Sequence, residues 1–193
     1  GEAMLAILEQ RKFPVRNLYP LASSRSAGKT IMFNGRSIRV TDLAEFDFSQ
    51  AQIGLFSAGG SISAEFAPRA GAAGCVVIDN TSHFRQDEDI PLIVPEVNIE
   101  ALAGYTRRNI IANPNCSTIQ MVVALKPIHD AVGIERINVA TYQSVSGGGQ
   151  KAMNELTQQT QAIAAGQPVV AKVIAKQIAN NCVPHIDVFL DNG

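Results

Sequence analysis

The stretch IANPNCST, residues 111–118, joins the end of a predicted strand to the start of a predicted helix. An Asn-Pro-Asn turn leads to Cys116, and apolar residues at helical spacing predict a helix over 117–132. Unpaired backbone N–H groups at a helix N-terminus favour an anion, and a thiolate placed there is a ready nucleophile. The alternative is a small buried residue in a strand-to-helix corner, because free cysteine is often buried. The local sequence leaves both interpretations open.

Strands and helices alternate on the N-terminal side of this stretch, which predicts an α/β fold with a doubly wound parallel sheet. Continuous apolar runs are typical of strands that are buried on both faces of such a sheet. The predicted strands cover 17–22, 36–40, 53–58, 75–79 and 110–112, and the predicted helices cover 2–8 and the segment that contains Ile62, Phe66 and Ala70.

Polar segments follow three of these strands. In parallel α/β sheets, ligands bind at the carboxyl ends of the strands, so these segments are expected to gather at one edge. They are Ser57-Ala58-Gly59, Asn80-Thr81 and Asn113 to Cys116.

The pattern changes after residue 132. Residues 134–145 alternate between apolar and polar side chains, which predicts a long strand in an antiparallel layer. A run of glycines, 147–149, then precedes an amphipathic helix predicted over 151–165.

The segment LASSRSAGK, residues 21–29, follows the first predicted strand. Folds that bind NAD place an acidic residue there for the ribose 2′-hydroxyl, whereas a basic residue accommodates a 2′-phosphate. This segment has serines, Arg25 and Lys29 but no acid, which favours NADP; a solvated polar loop is the alternative. The glycine-rich phosphate loop is not in the sequence, because Gly1 stands where that loop would end.

Arg85 follows another strand end, where its guanidinium could bind a phosphate or a carboxylate through paired donors. The alternative is an ordinary solvated arginine. The three histidines, His83, His129 and His185, are weak catalytic candidates. None has metal-ligand spacing with cysteine or aspartate, so no metal site is expected.

Composition narrows the possible partners. A net charge of -1 favours neither nucleic acid nor an anionic membrane surface, and no apolar run is long enough to span a membrane. Cys75, Cys116 and Cys182 lie far apart, which argues for a reducing, cytoplasmic location. Both ends of the sequence look truncated. The helix predicted over 2–8 has no N-cap residue before it, and the sequence stops in a turn signal at Gly193. We therefore expect a fragment.

Several longer motifs occur in order along nearly the whole chain. They are LASSRSAG at 21–28, LFSAGG at 55–60, VIDNTS at 77–82, FR at 84–85, PLIVPEVN at 91–98, NPNCST at 113–118, TYQSVSG at 141–147 and PHID at 184–187. Together they closely resemble the aspartate-semialdehyde dehydrogenase family. The resemblance implies a Rossmann-like NADP-binding domain over 1–116, followed by part of an α+β catalytic and dimerisation domain over 117–193.

The resemblance also implies a reaction. β-Aspartyl phosphate and NADPH would give L-aspartate β-semialdehyde, phosphate and NADP through a thioester on a cysteine, which is covalent catalysis. The reaction belongs to the biosynthesis of lysine, threonine, methionine and diaminopimelate, in a cytoplasmic homodimer. The partners implied are a small-molecule substrate and inorganic phosphate, with no nucleic acid and no membrane.

Site residues follow from the same resemblance. Cys116 would be the nucleophile, Gln143 would orient the substrate, Asn115 would shape the site, and Arg85 would hold phosphate. The residues implied to line NADP are Arg25, Ser26, Ser57, Ala58, Gly59, Ser146 and Gly147. The family's acid/base histidine and its substrate-carboxylate arginine lie beyond residue 193, so the fragment alone is expected to be inactive.

Two other functions fit parts of the sequence. One is another phosphorylating aldehyde dehydrogenase, such as an N-acetyl-glutamyl-phosphate reductase, which substrate trials would distinguish. The other is an inactive paralogue that acts as a binding subunit. The presence of Cys116, Arg85 and Gln143 argues against the second.

Overall fold

A computed structural model describes residues 1–184 of the chain. Its contacts divide the chain into two compact units, Gly1–Glu135 and Arg136–Gly193. The helix that begins at Cys116 lies in the first unit, whereas the sequence analysis assigns residues from 117 onward to the second domain. The boundary at 116/117 stays a prediction. Within residues 1–184, no helix is both long enough and apolar enough to cross a membrane.

A three-stranded parallel sheet forms the centre of the first unit, as the alternating pattern predicts. It consists of β5 (Ile53–Phe56), β6 (Val76–Asp79) and β7 (Ile110–Ala112), with β6 in the middle. Helix α2 (Gly60–Ala72) connects β5 to β6 and packs its buried residues against the sheet. The predicted periodicity of this helix is confirmed, because Phe66 and Ala70 are buried.

Aromatic side chains fill the core beside this sheet. Phe46 and Phe48 meet edge to face with ring centroids 5.4 Å apart, and Phe48 stacks on Phe56 at 6.4 Å. These rings pack with the fully buried Val77 and Ile110 of the sheet. Aromatic contacts of this kind add to the free energy that apolar burial already supplies.

The N-terminal part of the unit is only partly as predicted. Helix α1 (Glu2–Gln10) is confirmed, whereas the strand expected over 17–22 is reduced to β1 (Leu21–Ala22). That strand pairs in parallel with β4 (Thr41–Asp42). The strand expected over 36–40 is β3 (Arg36–Arg39), one arm of an antiparallel hairpin with β2 (Thr30–Phe33), which was not predicted.

The prediction that the central strands are buried on both faces is wrong for one face of β5 and β6. Ile53 is 50% exposed, Leu55 43% and Ile78 37%. These side chains and residues of α1 line a cavity of about 950 Å³, so this face of the sheet borders open space. The opposite face, which carries Val77, is the one that α2 covers.

Two short 3-10 helices, Leu43–Glu45 and Phe48–Gln50, precede β5, and two further α-helices follow β6. A short helix, α3 (Pro95–Asn98), continues into a 3-10 segment over Ile99–Arg107. Helix α4 (Cys116–Val132) confirms the helix predicted after the Asn-Pro-Asn turn.

The second unit departs from the prediction in one element. Residues 134–144 form no strand, and Val145–Gly148 is a 3-10 helix, so the long strand expected over 134–145 is wrong. A strand needs a partner for its backbone hydrogen bonds, and no partner strand exists among the residues that the structure describes. Val139 and Tyr142 therefore lie largely exposed.

The predicted helix near 151–165 is confirmed as α5 (Gly149–Ala164). Two of its buried side chains hold the irregular segment that follows it. Glu155 accepts hydrogen bonds from the backbone N–H groups of Ile174, Val173 and Lys172, which lower the pKa of its carboxyl. Gln159 accepts two more, from residues 178 and 179. The His185 part of the motif at 184–187 lies outside the described residues.

Gly71, near the end of α2, provides a test of the packing. A methyl group on this residue would overlap the backbone carbonyl oxygen of Arg108. We expect Gly71→Ala to lower the free energy of unfolding by about 1–3 kcal/mol, the usual cost of overpacking. Gly60→Ala in the same helix is the matched control, because its nearest neighbour would be the His83 Cβ at 3.9 Å. Chemical denaturation measures both, and equal stability of the two variants would contradict this packing.

Candidate active site

The register of the parallel sheet brings three strand ends together. Phe56, Asp79 and Ala112 are the last residues of their strands, and they lie side by side in the ladder. Backbone hydrogen bonds continue the pairing one residue further, from Asn80 N–H to the Phe56 carbonyl and from Asn113 N–H to the Asp79 carbonyl. The residues that follow the three strands therefore share one edge, as predicted.

Side chains join these three ends. The Asn113 amide donates to Asn80 Oδ1 at 2.6 Å, and the Asn80 amide donates to Ser57 Oγ at 3.3 Å. The three loops at the sheet edge are thus held together by hydrogen bonds as well as by the strands beneath them.

Arg85 lies at the same edge and is half-buried. Its Nε donates to the Asn113 carbonyl at 3.0 Å, and its Nη2 donates to the Asn80 carbonyl at 3.3 Å. A guanidinium has five N–H donors in a fixed plane. Two of them hold the side chain against the loops here, which leaves three for a ligand.

Asn115 and Cys116 begin helix α4. Asn115 is the N-cap, and its Oδ1 accepts from the Ser117 N–H at 2.9 Å. The same oxygen lies 3.9 Å from Cys116 Sγ. Cys116 is the first residue of the helix and is exposed, at the end where unpaired N–H groups favour negative charge. The alternative of a buried structural cysteine is therefore wrong for Cys116.

The other two cysteines have different surroundings. Cys75 is fully buried in the core, and this burial raises the pKa of its thiol. Cys182 is exposed in the irregular segment after α5, where its backbone N–H donates to the Asn181 side chain. Of the three, Cys116 alone combines exposure with a helix N-terminus.

Two segments of the first unit are candidates for cofactor contacts. Arg25 and Ser26 lie in the turn after β1, with Arg25 exposed. Ser57, Ala58 and Gly59 form the loop between β5 and α2. Gly59 has φ +106°, a conformation that favours glycine, and the start of α2 has no side-chain cap. A Cβ at Gly59 would meet no atom within 4 Å, so the space beside this residue is open.

The remaining predicted residues lie in the second unit. Gln143 is exposed, and its Oε1 accepts from the Thr141 hydroxyl at 3.1 Å. Ser146 and Gly147 lie in the 3-10 helix before α5. Their roles at the site stay predictions.

Sequence reasoning placed Asn80 and Asn113 at this edge but assigned neither a role. In the structure, the Asn80 side chain links Ser57 to Asn113 through hydrogen bonds. The backbone carbonyls of Asn80 and Asn113 both accept hydrogen bonds from Arg85. The available signal was their position, since each immediately follows a predicted strand.

The fold and the site define a class: an α/β protein with a parallel sheet and with a cysteine and an arginine at the carboxyl edge of that sheet. Family models agree. Residues 1–105 match the semialdehyde dehydrogenase NAD-binding domain, and residues 125–193 match the semialdehyde dehydrogenase dimerisation domain. The chain belongs to the semialdehyde dehydrogenase family, and its similarity is to the aspartate-semialdehyde dehydrogenases.

Individual relatives support this assignment. The chain is 61% identical over 193 residues to an aspartate-semialdehyde dehydrogenase of a Shewanella species, covering 100% of the chain and 57% of the relative. A crystal structure of aspartate semialdehyde dehydrogenase II from Vibrio cholerae, complexed with ASA, is 62% identical with a TM-score of 0.98, covering 100% of this chain and 57% of the other.

A more distant structure is that of a Candida albicans aspartate semialdehyde dehydrogenase with NADP. It is 25% identical with a TM-score of 0.58, covering 69% of this chain and 44% of the other. The chain thus spans a little over half the length of its close relatives.

Cys116 is expected to be the most reactive thiol of the chain, because it is exposed at a helix start. Brief alkylation of the folded protein at neutral pH, followed by peptide mapping, tests this. We expect Cys116 to be labelled first and the buried Cys75 to be protected. A Cys182→Ser variant is the control for the second exposed thiol. Preferential labelling of Cys75 or Cys182 would contradict the assignment.

Proposed function

We propose that the full-length protein that contains this chain is an NADP-dependent aspartate-semialdehyde dehydrogenase. It reductively dephosphorylates β-aspartyl phosphate to L-aspartate β-semialdehyde, in the cytoplasmic biosynthesis of lysine, threonine, methionine and diaminopimelate. The observation that carries the proposal is the placement of Cys116 at the start of α4, with Arg85 bonded to the carbonyl three residues before it.

Cys116 performs the covalent step in this proposal. Its sulfur attacks the acyl carbon of β-aspartyl phosphate, the carbon–oxygen bond to the phosphate breaks, and phosphate leaves with the bonding electron pair. A thioester on Cys116 remains. The position of the residue supports this role, because its sulfur is exposed at the N-terminus of a 17-residue helix, at the edge of the sheet where Arg85 lies.

Arg85 receives the departing phosphate, or holds it for the reverse attack on the thioester. The bonds to the Asn80 and Asn113 carbonyls fix the guanidinium plane at the edge that leads to Cys116. The donors that are left match phosphate oxygens in pairs, which a lysine ammonium does not reproduce. Arg85 therefore stabilises negative charge where the reaction releases it.

The loop over 57–59 and the turn with Arg25 and Ser26 hold the cofactor. The open loop and the uncapped N-terminus of α2 suit an anionic or amide group, and Arg25 suits a 2′-phosphate. NADPH, when bound, supplies the hydride that reduces the thioester. The NADP named for the Candida albicans relative supports this preference over NAD. Ser146 and Gly147, which the family resemblance assigns to the cofactor, belong to the same proposal.

Gln143 orients the substrate in this proposal, and Asn115 shapes the site as the N-cap of α4. The Thr141 hydroxyl donates a hydrogen bond to Gln143 Oε1. The amide N–H groups of Gln143 can therefore donate to a substrate oxygen. The second unit also supplies the surface for a homodimer, which its match to a dimerisation domain supports. Because close relatives are longer than this chain, we expect these 193 residues alone to be inactive.

Changing Arg85 to lysine tests its assignment to phosphate. In the full-length protein, Arg85→Lys is expected to raise the KM for phosphate about tenfold in the semialdehyde-oxidising direction, because paired charged hydrogen bonds are lost. The KM for NADP should change little. Arg107→Lys is the matched control, since Arg107 forms an exposed ion pair with Asp89. An unchanged phosphate KM with a weakened NADP affinity would move Arg85 to the cofactor site.

Arg25 is assigned to the 2′-phosphate that distinguishes NADP from NAD. Removing its side chain by Arg25→Ala is expected to weaken NADP binding about tenfold or more, the scale of a lost hydrogen bond to a charged group, and to leave NAD binding nearly unchanged. Titration of the full-length protein with each oxidised cofactor measures this, with Arg107→Ala as control. An equal loss of affinity for NADP and NAD would show that Arg25 does not bind the 2′-phosphate.

A further inference from the structure

Asp79 is a carboxylate in the core of the first unit with no part yet in the proposed reaction. It is the last residue of β6 and is fully buried on the face that α2 covers. Val77, two residues earlier, is fully buried as well and is apolar. A buried carboxylate costs free energy unless hydrogen bonds compensate it.

Three hydrogen bonds reach this carboxylate, all from neutral groups. The Ser63 hydroxyl of α2 donates to Oδ1 at 2.7 Å. The Thr81 backbone N–H donates to Oδ1 at 3.2 Å, and the Thr81 hydroxyl donates to Oδ2 at 2.8 Å. Within the described part of the chain, Asp79 has no ion-pair partner. Since apolar groups of similar volume often stabilise a core as well, stability alone does not explain the carboxylate.

The bonds around Asp79 fix the turn that follows β6. Thr81 Oγ1, which donates to Asp79, also accepts from the His83 N–H at 3.3 Å. The chain from 79 to 83 is thus set by one carboxylate and one hydroxyl. Arg85 comes two residues later, and its guanidinium donates back to the Asn80 carbonyl inside the same turn.

We propose that Asp79 is a positioning residue for the site: held by Ser63, its carboxylate fixes the Thr81 turn and so places the Arg85 guanidinium. The proposal rests on the proposed function, in which Arg85 binds phosphate. In this arrangement, a buried acid that does not contact the phosphate determines where the phosphate-binding guanidinium lies.

Two variants at Thr81 and one at Asp79, made in the full-length protein, test the proposal. Thr81→Val removes the hydroxyl and keeps the shape of the side chain, whereas Thr81→Ser keeps the hydroxyl. Asp79→Asn replaces one carboxylate oxygen, a hydrogen-bond acceptor, with an amide NH₂ group, which is a donor. The measurements are the KM for phosphate, the KM for NADP and kcat in the semialdehyde-oxidising direction, together with the melting temperature. Thr106→Val is the matched control, because Thr106 is exposed and its hydroxyl donates to the Ala103 carbonyl.

We expect Thr81→Val and Asp79→Asn to raise the KM for phosphate fivefold to tenfold, about the effect of one lost hydrogen bond, with the KM for NADP within twofold of its original value. Thr81→Ser, which keeps the hydroxyl, should leave the KM for phosphate at its original value. If Asp79→Asn does not fold, Thr81→Val decides the matter alone. A phosphate KM that is unchanged in Thr81→Val, or that rises together with the NADP KM, overturns the proposal. Failure of the proposed function is seen separately, as turnover independent of phosphate in the unsubstituted protein.

Discussion

The parallel register of β5, β6 and β7 is the constraint on which the site depends. Because Phe56, Asp79 and Ala112 end their strands side by side, Ser57, Asn80 and Asn113 leave the sheet together and bond to one another. Arg85 then binds the two carbonyls at this edge, and α4 begins three residues after one of them. A slip of one residue in the ladder would turn these side chains to the other face.

Sequence alone predicted the parts of the fold that have a strong local pattern. The apolar runs of β5 to β7, the helical spacing in α2 and the turn before Cys116 are strong local signals, and the strands and helices that they predict appear where expected. The shared edge also followed, since it is a property of parallel sheets rather than of any one residue. The bonds of Asn80 and Asn113 could not be predicted, because they depend on the exact register.

Three features of the fold differ from the sequence-based predictions, and each difference has a physical cause. The unpredicted β2–β3 hairpin has a local signal, Asn34-Gly35, and both residues have the positive φ that a tight two-residue turn needs. Alternation over 134–145 predicted a strand, but alternation shows only that a strand could form, whereas pairing needs a neighbour. The exposed face of β5 was missed because an apolar run does not say which side is covered.

In the proposed function, Cys116 carries the acyl group in a phosphorylating cycle at this edge. The most direct test of this role is mass spectrometry of the full-length protein after acid quenching, following incubation with aspartate semialdehyde and NADP but without phosphate. We expect an acyl thioester on the peptide containing Cys116 that disappears when phosphate is added before the quench. An adduct on another residue, or one that phosphate does not discharge, would contradict it.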